Sequence, residues 1–427
     1  MPCVSRSLSL AVVCVGVLFV SAVAAQPAAE GDSSAAFFDG SVLQEIRLSV
    51  NSRDWQTLKT NFTLDAYYPA DLQWRDIVVR NIGIRSRGTG SRSGIKPGLR
   101  VDIDRYSTSQ SFLGVKSFVL RNNTQDASNL HEQLSMRLFE RMGLHAPREA
   151  YTQLYVNNEY VGLYSIVESI DHAFLRRTVG NDAGYLYDYD FAPDDPGYFF
   201  EYRGPEATAY VPKPFKPETH EENPRGDVIE RMVRTINDSG ANFREAILEF
   251  VDVTTFVRYV AVEAFLGEQD GFLGDWGMNN YYLYRPAATN QFTIFPWDKS
   301  NAFVHAVDAS IWRNITDVAP PVRNRLVWQL LAQADFRELY LTALLDCVRL
   351  TGEPDAVEGD ERGWLVREVD REFLQIRDSV FADPVKPYTF EQFEAAVDAL
   401  RTFASDRGPI VTTEVARSRS MQTRDVR

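Results

Sequence analysis

The stretch from Gly267 to Phe303, GEQDGFLGDWGMNNYYLYRPAATNQFTIFPWDKSNAF, restricts what this chain can fold into more than any other. Two short runs, Tyr281 to Tyr284 and Phe292 to Phe295, are aromatic and β-branched, and a Pro-Ala-Ala-Thr-Asn turn lies between them. Runs of this kind around turn residues predict a β-hairpin. Its two ends carry Asn279 and Asn280 on one side and Asp298 on the other to a single edge. Asp and Asn oxygens converging beside acidic loop residues form a hard, oxygen-only site suited to Mg²⁺ or Mn²⁺.

The order of these parts is also a chemical grammar. A loop Asp and Asn, then a hairpin, then a metal-binding Asp is how protein kinases hold metal and nucleotide. Asp275 precedes Asn280 by five residues, the separation of the kinase catalytic-loop pair. Spacing of that kind arises often by chance and does not decide the matter alone.

A chain of 427 residues can bury a large core, and its length suggests two or three compact units. Hydrophobic residues at 44% and aromatics at 12% mark a globular chain. A net charge of −14 argues against an electrostatic grip on nucleic acid or anionic membrane, although a local basic cleft can still take a nucleotide. At the N-terminus, Arg6, an apolar run from Leu8 to Val20 and Ala22-Val23-Ala24 read as a secretory signal peptide rather than a membrane span. Cys3 and Cys14 fall in that segment, so the mature chain keeps Cys347 alone, inside the apolar run LTALLDCVRL, and forms no internal disulfide. His131, His145, His172, His220 and His305 are scattered without ligand spacing, which leaves no zinc hypothesis.

The domain reading is a signal peptide over 1–25, a flexible lead-in over 26–40, a β-rich nucleotide-binding lobe over 41–168, a mainly helical catalytic lobe over 169–405, and a loose tail over 406–427. In the first lobe, Val42 to Val50, Ile77 to Ile84, Leu99 to Ile103 and Val115 to Leu120 are strand-like. Leu130, Leu134, Leu138 and Met142 mark a helix stopped by Gly143, and Asn157-Asn158 marks a second hairpin. Helical periods return over Val228 to Asn237, Phe243 to Phe250, Thr254 to Phe265, Val322 to Arg349, Glu361 to Phe381 and Phe390 to Phe403.

Four segments together resemble the secreted CotH kinase family: RSRGTGSRSGIKPGLRVDID, GVKSFVLRNN with Asp126, RMGLHAPREAYTQLYVNNEYVGLYSIVESID, and the DGFLGDWGMNNYYLY–TIFPWDKSNAF block. They spread over roughly residues 40 to 305, and the helical C-terminal part is similar as well. The resemblance implies an α+β, two-lobed atypical protein-kinase-like fold that transfers the ATP γ-phosphate to Ser or Thr of secreted proteins. Under it, Asp298 is the metal-binding Asp, with Asn280 supporting a metal or the loop. Asp270, in the QDGF context, is preferred as the catalytic Asp, with Asp275 the alternative. Arg87, Gly88 and Ser91 belong to the phosphate-covering turn; Lys96, or failing it Arg100, is the phosphate-contacting cation, paired with Glu132. Glu168 contacts nucleotide near the lobe junction. The family often carries an acid two positions after the PWD Asp, where this chain has Ser300, which implies a weaker hold on a second metal.

The expected enzyme is therefore a Mg²⁺- or Mn²⁺-dependent ATP:protein phosphotransferase acting on a secreted protein, in a periplasm, on a cell surface or in the medium. It has no nucleic-acid partner and no membrane span in its mature form. The alternative is a weak or inactive kinase-like binding or adhesion module, Ca²⁺-stabilised through Asp188, Asp190, Asp194 and Asp195.

Overall fold

The computed structural model describes residues 32–190, 197–238, 240, 242–319 and 322–425. The signal-peptide reading, residues 26–31 of the lead-in, Asp194 and Asp195 lie outside the described residues. From residue 32 the expected flexible lead-in is corrected: Phe37 and Phe38 are buried in the barrel's apolar cluster. Among the described residues no helix is long and apolar enough to cross a membrane.

The fold is mixed α and β. Its first half winds through β1 (Gln44–Val50), α1 (Ser52–Thr60), β2 (Tyr68–Trp74), β3 (Ile77–Ser86), β4 (Leu99–Asp102), β5 (Ser117–Arg121), α2 (His131–Arg141), β6 (Glu149–Val156) and β7 (Glu159–Glu168). These strands close into a barrel in the order β1-β2-β3-β4-β5-β7-β6, sealed by parallel pairing of β1 with β6. Alternation drives closure: Ile46, Leu48, Ile82, Ile84, Leu99, Val101 and Ile166 all point into one buried cluster. The Asn157-Asn158 turn joins β6 to β7, and both residues have positive φ, as a tight hairpin requires. β2, with Pro69 inside it, breaks the expected strand pattern and was not legible in the sequence.

The second half begins with α3 (His172–Val179), β8 (Tyr185–Tyr189), β9 (Phe215–Pro217), α4 (Gly226–Asn237), α5 (Phe243–Ile247) and α6 (Val253–Leu266). The predicted hairpin follows as β10 (Tyr281–Arg285) and β11 (Thr293–Pro296), paired in register Tyr281↔Pro296 to Tyr284↔Thr293. The sheet order is β11-β10-β8-β9. Then come α7 (Arg325–Ala332), α8 (Ala334–Thr351), α9 (Trp364–Ala382) and α10 (Phe390–Asp425). Val119 and Val167 of the barrel pack with Leu186, Tyr284, Phe295 and Trp297 of the sheet, so the sheet edge faces the barrel.

The loose tail expected beyond residue 405 is corrected: α10 runs unbroken through Pro409 to Asp425. Its anchor is Arg407, fully buried, whose guanidinium donates to the carbonyls of Phe265, Ala264, Val307 and Ala309 at 2.7–2.9 Å. Val411 and Val415 continue into the core beyond it. These tertiary bonds carry the helix past Gly408 and Pro409, residues of low helix propensity.

Barrel and C-terminal helices are also joined by one buried ion pair. Lys96 Nζ donates to Asp383 Oδ2 at 2.8 Å, with the side chains 3% and 2% exposed. The same carboxylate accepts the Leu163 and Val385 amides. Removing one partner of such a pair strands the other as an uncompensated charge. Lys96→Met should therefore lower the unfolding free energy by about 3–5 kcal/mol in urea titration. A change within about 0.5 kcal/mol would show that the pair does not join the two halves.

Candidate active site

The geometry of the site starts from Glu263, on the buried face of α6. Its carboxylate accepts the Phe272 and Leu273 amides at 3.0 and 2.9 Å, and Lys299 Nζ at 2.7 Å, with both charged side chains fully buried. Lys299 also donates to the Asn280 carbonyl at 3.0 Å. One carboxylate thus ties the loop carrying Asp270 to the turn carrying Asp298. Gly271 is required for this contact, because a Cβ there would meet Glu263 Oε1 at 2.3 Å. The hairpin ends impose their own demand. Asn280 and Asp298 both have left-handed backbone, φ 54° and 46°, which Asn and Asp tolerate best among side-chain-bearing residues.

Asp298, Asn280 and Asp270 line one polar cleft of about 530 Å³. The opposite wall is the turn Arg87-Gly88-Thr89-Gly90-Ser91 of the barrel. Gly88 has φ 116°, a conformation that favours glycine. The two motifs, separated by some 200 residues of chain, therefore face each other. Asp270 accepts from Asn279 Nδ2 at 3.0 Å and from Asn280 Nδ2 at 3.1 Å. Burial raises its carboxyl above the usual range, and the nearby Asp298 charge adds to the rise. Asp275 is placed elsewhere: it is held by Arg313 and by Asn314 Nδ2 and does not line the cleft. The kinase-like spacing of Asp275 to Asn280 is thus not matched by a shared site.

Arg85 and Arg92 at the cleft pair with Asp65; the positive charge facing Asp298 comes from Arg87 and from Arg121 in the adjoining recess. Arg87 and Arg121 lie over the Trp297 ring, 5.0 and 5.2 Å from its centroid. Burial, and then Arg121, lower Arg87 to about 10. Arg121, at the end of β5, reaches Asp298 Oδ2 with Nη1 at 2.6 Å and Glu132 Oε2 with Nε at 2.6 Å. Burial pushes the Asp298 carboxyl up, but Arg121, Arg87 and the Ser300 hydroxyl outweigh it and hold the carboxyl below the usual range. Glu132 is raised to about 7, chiefly by burial against Arg121's opposing pull. Behind the turn, Arg87, Ser91, Arg121 and Glu132 line a recess of about 30 Å³. At ~10–15 Å³ per water, that space admits an oxygen or two but no ring.

Several expected roles are corrected by these positions. Lys96 does not pair with Glu132; Arg121 does, and Lys96 is committed to Asp383 outside the cleft. Arg100 donates to Asp102 Oδ1 at 2.8 Å and also lies off the cleft lining. Glu168 is buried and clamped by Arg148 and Arg177 at the barrel edge, again outside the cleft. Arg121 and Lys299 were missed, although both stand inside quoted segments, GVKSFVLRNN and PWDKSNAF. A cation closing the apolar run Phe118-Val119-Leu120 was the available signal for Arg121.

Asp188, on β8 opposite Tyr282 of β10, lines the same cleft, and burial first and Glu218 second raise it to about 7. Asp190 also lines it and meets Lys213 at 3.1 Å. Among the described residues no three His, Cys, Asp or Glu stand together as a metal cage. The donor set fits Mg²⁺ or Mn²⁺ in another manner: an ionised Asp298 with Asp270 near enough to feel its charge, the remaining positions left to water and phosphate oxygens.

Residues 84–411 match the family model described as CotH kinase protein. This chain belongs to the CotH kinase family. It is 24% identical over 370 residues to the inner spore coat protein H of Bacillus subtilis (strain 168), covering 84% of this chain and 94% of that protein. Among solved structures, the Helicobacter pylori proinflammatory kinase CtkA aligns over 78% of this chain and 94% of its own, at 10% identity and a TM-score of 0.30. Likeness that slight says nothing about the CotH-family cleft.

Glu268, two residues before Asp270, is buried, and its Oε1 accepts the Asp270 amide at 2.8 Å. Burial, opposed by Lys299, raises it to about 8 from an ordinary 4.5. Its contribution to stability is full below about 4.5 and is lost as pH rises through about 8. Glu268→Gln keeps the acceptor and removes the titration. Its melting temperature should gain on the parent between pH 5 and pH 8.5; a constant difference across that range would contradict the assignment.

Proposed function

We propose that this CotH-family chain is a metal-dependent atypical protein kinase, transferring the ATP γ-phosphate to Ser or Thr of extracytoplasmic proteins. One observation carries the reading: a glycine-bearing turn with Arg87 faces Asp298, a second carboxyl and an Asn across a single polar cleft, and the buried Arg121 guanidinium holds Asp298 from the adjoining recess. Phosphoryl transfer is catalysed by positioning and charge stabilisation more than by covalent chemistry, and this is the equipment it uses. In this reading the barrel is a nucleotide-covering lobe and the sheet with its helices a catalytic lobe.

Arg87, Arg121 and the amides of the turn bind phosphate oxygens, and Glu132 orients Arg121. Asp298, with Asn280 beside it, would hold Mg²⁺ or Mn²⁺, which when bound supplies charge neutralisation at the β- and γ-phosphates. Asp270 accepts the proton of the attacking hydroxyl; its raised carboxyl is the better base for that role. Trp276, 56% exposed at the cleft, is available to the acceptor chain. The apolar run from Leu8 to Val20 supports export through a secretory leader.

Asp298→Asn should abolish metal-dependent ATP turnover, by at least about 100-fold, with an unchanged circular dichroism spectrum. Arg87→Ala and Arg121→Ala should each weaken ATP binding about 10-fold or more by calorimetry. Full turnover in Asp298→Asn would sink the assignment.

A further inference from the structure

The Asp298 carboxylate has neither oxygen idle. Oδ2 is held by Arg121 Nη1 at 2.6 Å, and Oδ1 accepts from Ser300 Oγ at 2.9 Å. Arg121 is in turn fixed by Glu132 at 2.6 Å, with all three side chains largely buried. A bare divalent cation arriving here would compete with a guanidinium for the carboxylate and meet its positive charge at close range, with Arg87 adding a further one over the Trp297 ring. Like charges at that range in a partly dry site repel strongly.

Arg121 nevertheless has capacity to spare. Its Nη2 is buried without a hydrogen-bond partner, in a residue lining the small recess shared with Arg87 and Ser91. An unsatisfied buried donor is costly, and an anionic oxygen is the partner that removes the cost. The recess is large enough for phosphate oxygen and little more. A phosphate entering it offers Arg121 a replacement for Asp298 without requiring Glu132 to let go.

We propose that Arg121 is a latch on Asp298, and that this chain admits its divalent cation only after, or together with, a nucleoside triphosphate whose phosphates draw the guanidinium away. The proposal rests on the phosphotransferase reading and adds an order of events to it. Nucleotide and metal are coupled through one exchanged ion pair, so each strengthens the other's binding by the same factor.

The test uses the whole chain, Mn²⁺ followed by paramagnetic resonance, and a non-hydrolysable ATP analogue followed by calorimetry. In the parent protein, bare Mn²⁺ should bind roughly 100-fold more weakly than it binds the protein–analogue complex, and the analogue should bind without metal. Arg121→Gln should bind bare Mn²⁺ more tightly than the parent and the metal-free analogue less tightly; the gain should vanish in Arg121→Gln combined with Asp298→Asn. If Arg121→Gln fails to fold, the parent's own two Mn²⁺ affinities remain decisive. Equal affinities, at a site lost in Asp298→Asn, overturn the latch and leave the phosphotransferase reading standing. No analogue bound under any condition overturns both.

Discussion

The buried Glu263–Lys299 ion pair is the constraint on which the cleft depends. Two charges removed from water are tolerable only when their remaining hydrogen-bonding capacity is used. Glu263 meets that condition by accepting two loop amides, and Lys299 by donating to the Asn280 carbonyl. The same bonds that offset desolvation also set the spacing between the Asp270 loop and the Asp298 turn. Local stability and active-site geometry are here one set of contacts. Gly271 follows from it, since nothing larger fits against the carboxylate.

A second economy lies in the residue types at the hairpin ends. Asn280 and Asp298 adopt left-handed backbone that few side-chain-bearing residues accept cheaply, and they carry the oxygens the chemistry needs. Aromatic packing then fixes the sheet edge against the barrel: Trp297 lies beneath both guanidiniums and against Tyr282 at 5.8 Å. Trp297 therefore positions the positive wall of the cleft while immediately preceding the negative one in sequence.

Legibility in the sequence followed the range of the interaction. The β10–β11 hairpin and the β6–β7 turn were readable because alternation and Asn-rich turns are local signals. The meeting of the Arg87–Ser91 turn with Asp298 was expected through the family resemblance, not through spacing. What failed was pairing at a distance. Lys96 follows the glycine-bearing turn closely in sequence, yet its partner is Asp383, 287 residues away. Arg121 took the place assigned to Lys96 because β5 ends at the recess beside the cleft, within reach of Asp298, whereas the segment bearing Lys96 turns towards α9. Asp275 matched a spacing rule, but Arg313 and Asn314, beyond the hairpin, hold it aside. The tail expected to be loose beyond residue 405 is instead held as helix by carbonyls that lie some 100–140 residues earlier.

The most direct test of the account is a crystal structure of the chain with Mn²⁺ and a non-hydrolysable ATP analogue, recorded for the manganese anomalous signal. The account predicts the triphosphate beneath the Arg87–Ser91 turn and the manganese peak between Asp298 and the phosphates. A nucleotide bound elsewhere, or a manganese peak remote from Asp298, would contradict it.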